Sequence, residues 1–322
     1  MPLSLRIDPW AADYEGALRV ELDGEDEERA ATDVYVETDN WRPLGPVTAE
    51  PEVEAIYFVD GVRRVDVGVI DEGDGRLVYG LFGSYAAGVV RYCRGSINIE
   101  RRETKRSIVL GADLRSEEIV IEAGTATLRY QPSSADENNR RDVLQRLQML
   151  MRTLEGELAR PLAAEGSIAF LDGGLTFLLP LQAPLLGYIK THSRWYLPSE
   201  LLPQLNLLET GMRTPVFRFG ERAASRYSWY LRLAAPRAID YSLAGVVRLE
   251  VSSTLGLADA VRLADYSAAL LPRFASERHW DARAPQNLYP IAALEDRLRH
   301  ELGDHEWVRR HIETHFQKEG QI

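Results

Sequence analysis

Apolar residues run unbroken through "AIYFV" at 55–59, and in "VDVGVI" at 65–70 Val65, Val67 and Val69 alternate with other positions so as to share one face. Both patterns are those of strands. "GDG" at 73–75 signals a turn before "RLVYGLFGSYAAGVVRY", so three strands joined by short turns predict a meander. "SIVLG" and "EEIVIEAGTATLRY" add further β-signal. In "SSADENNRRDVLQRLQMLMRTLEGELARPL", Val143, Leu147, Leu150, Leu154 and Leu158 recur at spacings of three and four, between a cap-rich start and a proline. A long amphipathic helix is predicted there. "GSIAFLDGGLTF" and "AGVVRLEV" read as strands, "GLADAVRLADYSAALLP" as a helix, and "YPIAALEDRLRHELGD" as a final helix with Pro290 near its first position. The first 50 residues, with the acidic "DGEDEERAATD" and the proline-broken "WRPLGPVTAEPEVE", look like a loop-rich arm, while residues 181–235 give no clear period.

Asp60 and Asp172 have the same local setting, an apolar strand, then the acid, then glycine. If the two strands are neighbours, both carboxylates emerge at one sheet edge, where like charges call for a cation between them. The plainer alternative is that each Asp-Gly is a turn. The helix between them offers Glu155 on the flank shared by Leu144, Gln148 and Met151, with Glu157 on the other flank. A meander, a helix and a further strand, with acids on the first strand, the helix and the fourth strand, follow the order of the ribonuclease H-like fold. The expected class is therefore α/β, a mixed sheet flanked by helices, with an N-terminal arm and insertions. Asp60, Glu155 and Asp172 are candidate metal ligands, and hard carboxylate oxygens select Mn²⁺ or Mg²⁺. The six histidines are scattered, and His311 and His315 fall in a charged C-terminal tail.

A net charge of -11, from 49 acids and 38 bases, opposes unguided binding to phosphate backbones. Yet residues 91–106 hold Arg91, Arg94, Arg101, Arg102, Lys105 and Arg106 against only Glu100 and Glu103. Arg63 and Arg64, just past Asp60, either offset the carboxylates or touch phosphate. The single cysteine, Cys93, excludes an intramolecular disulfide and any multi-cysteine metal centre, which fits a reducing cytosol. With no targeting pattern at the start and no run of 18 apolar residues, a cytoplasmic protein with no membrane partner is expected. There is no GxxxxGK[ST] motif, so ATP-driven motion would have to come from a partner. A sugar-kinase or actin-like ATPase would need a Gly- and Thr-rich phosphate hairpin after the first strand, which "DGVRRVDVG" does not supply.

"YFVDG", "IAFLDGGL", "GYIKTHSRWYL" and "DARAPQNLYPIAALEDRLRHELGD" together resemble the NurA family, nucleases of double-strand break repair that work with the HerA hexameric translocase. The likeness spans about residues 50–305. It implies an arm over residues 1–50, a ribonuclease H-like nuclease domain over 51–305 and a helical tail over 306–322. It further implies Mn²⁺-dependent (or Mg²⁺-dependent) 5′ to 3′ exonuclease and endonuclease activity in DNA end processing, a homodimer, and a HerA-type ATPase as partner. Carried over, the catalytic acids would be Asp60, Glu155 and Asp172, with Tyr289 as the tyrosine of the Tyr-Pro signature. Archaeal members place a histidine in the following helix, where this chain offers Glu295 and His300. At about 100° per residue, Glu295 borders the stripe of Ile291, Leu294, Leu298 and Leu302 while His300 points nearly opposite, which favours Glu295. A salt bridge from Glu295 to Arg299 is the ordinary alternative. Lys190, His192 and Arg194, with Arg101, Arg102, Lys105 and Arg106, are expected along the DNA. A non-catalytic nuclease-fold subunit that binds the translocase or DNA is the rival reading.

Overall fold

Strand β3 runs from Ala55 to Asp71 in the computed structural model, carrying Asp60 and Gly61 through its interior. The turn expected after Asp60 is absent, and the stretches at 55–59 and 65–70 belong to one strand. The reason is its neighbour β4 (Val78–Cys93), which pairs with β3 from Ile56↔Tyr92 to Asp71↔Val78 with one bulge between Val65 and Val67. A ladder of that length holds the backbone extended past the glycine. The third strand of the meander is instead β5 (Ser96–Leu110), antiparallel to β4. The structure describes residues 4–8, 32–46, 53–162, 167–178, 184–192, 194–221, 224–279 and 281–318. Of the acidic run at 23–33, residues 23–31 lie outside that set.

The remaining strands are β1 (Leu5–Asp8), β2 (Thr32–Asp33), β6 (Ile119–Ala123), β7 (Ala126–Ser134), β8 (Ser167–Asp172), β9 (Leu185–Ile189), β10 (Phe217–Phe219), β11 (Arg226–Arg232) and β12 (Val246–Ser252). They form one mixed sheet in the order β2-β10-β11-β12-β9-β8-β3-β4-β5-β7-β6, with β1 added to the far half of β3. β8 lies parallel to both β3 and β9.

Helix α1 (Arg140–Ala159) is capped by Asn139, whose side chain accepts from the Asp142 amide. It covers one face of β3, β4 and β8, burying Val143, Leu144, Leu147, Met151, Leu154 and Leu158 against Val59, Val89 and Leu171. Leu150 is only half-buried, so the apolar stripe is turned toward Leu144 and Met151, the flank that carries Glu155. Helices α2 (Leu257–Leu270) and α3 (Tyr289–Glu301) cover the opposite face, where Leu263, Ile291, Leu294 and Leu298 meet Phe58, Phe170 and Tyr188. Helix α4 (His305–Lys318) seats Val308, Ile312 and Phe316 on the far part of β3, β4 and β5. Among the described residues, no helix is long and apolar enough to cross a membrane.

Candidate active site

β3 and β8 part company at the two aspartates. Their last paired residues are Val59 and Leu171, so Asp60 and Asp172 are the next step on each strand and stand side by side. β8 ends there, while β3 continues against β4 through Asp60↔Gly88. Asp172 is thus at a strand end as expected, and Asp60 lies beside the gap that this end opens in the sheet.

Strand alternation then selects a face. Asp60 keeps step with Phe58, Asp172 with Phe170 and Lys190 with Tyr188, all on the side covered by α3. Glu295, one turn and a half into α3, meets them directly, and carboxylate oxygens of Asp60, Asp172 and Glu295 all lie within 4.8 Å of one another. Glu155 comes from α1 on the opposite face and arrives across Gly61, where a Cβ would stand only 2.5 Å from Glu155 Oε1 and 3.0 Å from the Ala86 carbonyl oxygen.

Cations surround these acids unequally. Lys190 Nζ lies 2.5 Å from Asp172 Oδ2 and 3.8 Å from Glu295 Oε1, and donates to Asn287 Oδ1 at 3.0 Å. Arg283 forks onto both oxygens of Glu295 at 3.0 and 2.8 Å, and Arg299 donates to Oε2 at 2.9 Å. Arg152 donates to Glu155 Oε2 at 2.5 Å and to the main-chain carbonyls of Asp172 and Gly174, joining helix to strand end. By contrast, Asp60 Oδ2 and Glu155 Oε1 are buried and accept no hydrogen bond.

Burial, reinforced by the neighbouring Asp172 charge, raises the Asp60 carboxyl well above its ordinary value. Burial likewise pushes Glu155 up to about 7, against the pull of Arg152. Burial also acts to raise Glu295, but the Arg283 fork, with Lys190 and Arg299, outweighs it and holds the group below its usual range. Buried carboxylate oxygens without donors, clustered on hard ligands only, fit a divalent cation of the Mg²⁺ or Mn²⁺ kind.

Other residues singled out in the sequence lie further off. The Tyr289 ring packs on Phe274, and Tyr92 and Arg273 are the charged or ionisable groups acting on its hydroxyl. His300 is exposed on α3. The His192 ring stacks on Trp195 at 4.5 Å with Nε2 3.0 Å from the Val246 carbonyl, and burial lowers its pKa. Arg194 lies over the Tyr196 ring. Arg63 donates to Gln148, and Arg64 pairs with Asp66 and caps the end of α3 at the Leu302 and Gly303 carbonyls. In the basic strip Arg102 pairs with Glu301, Lys105 with Glu103 and Glu157, and Arg106 donates to the Leu302 carbonyl, while Arg101 is exposed.

Four positions near the site escaped the sequence reading: Arg152, Arg283, Asn287 and Glu250. Glu250 is fully buried, accepts from the Leu175 amide at 2.7 Å, and is flanked by Arg226 at 3.2 Å and Arg248 at 2.7 Å, so it fixes the loop leaving Asp172. The signal was present as a lone acid inside the otherwise buried strand "VVRLEVS". Arg283 and Asn287 lie in the "RAPQNLYPI" stretch, where Asp281 accepts from both.

A family model described as the NurA domain matches residues 54–297. Among solved structures, the NurA nuclease from Sulfolobus solfataricus is similar at 11% sequence identity with a TM-score of 0.50, covering 95% of this chain and 94% of that one. No curated protein matches. The structural likeness shows a shared fold, and the large mixed sheet flanked by helices is consistent with the ribonuclease H-like class expected from the sequence. The family match spans both Asp-Gly strands, α1 and Glu295, and by it the chain belongs to the NurA family of nucleases.

Proposed function

We propose that this protein is a divalent-metal-dependent deoxyribonuclease that processes DNA ends. The observation that carries the reading is the pair of buried, donor-free oxygens, Asp60 Oδ2 and Glu155 Oε1, beside Asp172 and Glu295 at the gap in the sheet. Asp60, Glu155 and Asp172, faced by Glu295, would hold Mn²⁺ or Mg²⁺. Bound there, such an ion supplies Lewis-acid polarisation of a phosphoryl oxygen and lowers the pKa of an attacking water.

The chain's own groups do the rest. Glu155, pushed up to about 7, holds a proton near neutrality in the metal-free protein and gives it up on loading, so loading releases protons and weakens in acid. Lys190 and Asn287, fixed on the acids' face, would meet non-bridging phosphate oxygens. Arg152 and Glu250 keep the strand end at Asp172 in place. Arg101, with Arg102, Lys105 and Arg106 behind it, would guide the strand.

Family membership supports the finer expectations of 5′ to 3′ exonuclease and endonuclease activity in double-strand break repair, a homodimer, a HerA-type ATPase partner and a cytoplasmic location. The net charge of -11 accords with a nuclease to which DNA is delivered. End-labelled single- and double-stranded DNA incubated with Mn²⁺ tests the reading, beside EDTA and an Asp60→Ala variant. Mn²⁺-dependent degradation lost in the variant is expected. Binding without degradation would make the protein a non-catalytic subunit, and equal degradation by both proteins would place the activity elsewhere.

A further inference from the structure

The carboxylate cluster has two unlike sides. On the α3 side, two of the three acids are already met by cations: Asp172 by Lys190 at 2.5 Å, Glu295 by the Arg283 fork and Arg299. Asp60 Oδ2 on that face and Glu155 Oε1, reaching in from α1, are by contrast buried with no donor at all. Lys190 is not a loose surface cation. It directly follows the last residue of β9, its ammonium is held from behind by Asn287 Oδ1, and Asn287 is itself anchored by its amide to Asp281 at 2.6 Å.

We infer that the site takes a single divalent cation, at the donor-free oxygens of Asp60 and Glu155, and that Lys190 is the fixed second positive charge at Asp172 and Glu295. The inference rests on the reading of the site as metal-dependent. In two-ion nuclease sites one dication serves the attacking oxygen and the other the departing one. An ammonium within hydrogen-bond distance of Asp172 repels a second dication from the same ligands and offers phosphate oxygen its remaining donor instead. The geometry also separates two acids that a simple ligand count would pool. Glu155 offers an unclaimed oxygen, whereas both oxygens of Glu295 are spoken for by arginine.

Calorimetric titration of the EDTA-stripped full chain with MnCl₂, alongside electron paramagnetic resonance of the loaded protein, tests this without any DNA. Wild type is expected to take one Mn²⁺ per chain with the spectrum of an isolated ion. Lys190→Met is expected to take two, with the broadening of a coupled pair, and Lys190→Arg to stay at one. Glu155→Gln is expected to weaken binding by about 100-fold and Glu295→Gln by less than about 10-fold. Two ions in wild type, or an equal loss in the two glutamine variants, would overturn the inference while leaving a metal-dependent nuclease intact. No Mn²⁺ binding by wild type would overturn the metal-dependent reading itself. The wild-type count decides even if Lys190→Met fails to fold, which circular dichroism would reveal.

Discussion

Gly61 lies directly beneath the carboxyl of Glu155, so close that a Cβ on it would stand 2.5 Å from Oε1 and 2.9 Å from Met151 Cγ. The residue after Asp60 is therefore glycine because a helix on the other face must reach through to the same cluster. This is a close-approach glycine inside a paired strand.

Gly61→Ala should displace Glu155 and Met151 together. The expected outcome is a stability loss of about 1–3 kcal/mol in urea denaturation, as for other overpacked sites, with Mn²⁺-dependent cleavage reduced at least tenfold. Unchanged cleavage kinetics would show that Glu155 takes no part.

The metal-free protein should lose stability as pH rises toward neutrality. Glu155 has its folded pKa raised from 4.5 to about 7, so its contribution is complete below about pH 4.5 and is lost as pH climbs through about 7. The size is on the order of 3 kcal/mol. Asp60, raised for the same reason of burial, works in the same direction. Denaturation in EDTA from pH 5 to 8 should show the decline, Glu155→Gln should flatten it, and saturating Mn²⁺ should offset it.

Arg283→Ala removes the fork from Glu295, leaving Arg299 and Lys190 as its nearby cations. Cleavage should fall by about 10–100-fold, the usual cost of losing a group that orients an active-site ligand. Arg283→Lys, a point charge without the fork, should recover only part of it. Steady-state kinetics with a fixed DNA substrate read both values.

Glu250→Ala strands two buried arginines, Arg226 and Arg248, and frees the Leu175 amide. Breaking such a buried pair costs about 3–5 kcal/mol. The melting temperature should drop sharply, and cleavage by whatever remains folded should be impaired because the loop after Asp172 loses its anchor.

In the basic strip, Arg101 should matter more to DNA than Arg102, because Arg102 is engaged by Glu301 and Arg101 projects from the exposed part of β5. Arg101→Ala should weaken binding and lower the salt dependence by about one unit of slope. Fluorescence anisotropy across a salt series would show it, and an identical effect from Arg102→Ala would contradict the distinction.

The sequence by itself determined the parts whose signal is local. The periodicity of α1, the apolar runs of β3, β4 and β8, and the two Asp-Gly pairs all follow from short-range side-chain patterns, and these sufficed for the order of the core. Placing Glu295 rather than His300 at the cluster followed from helical geometry on one face of α3, and the two residues do sit buried and exposed respectively. Tertiary pairing decided what local pattern read as a turn: β4 holds β3 extended through Gly61, and the register of β3 with β8 sets Asp60 beside Asp172. β5 was legible chiefly at its apolar end, since residues 96–103 are exposed and only Ile97 and Ile99 alternate with polar neighbours before a run of charges. Arg152 and Glu155 are an i,i+3 pair on α1 and so local, but the partners of Lys190 and Arg283 were invisible, because these two reach the cluster from elements far from Asp172 and Glu295 in sequence. An isolated charge on a chain has no sign of a distant partner, and only the packing of β9 and of the segment before α3 around the gap in the sheet assigns Lys190 to Asp172 and Arg283 to Glu295.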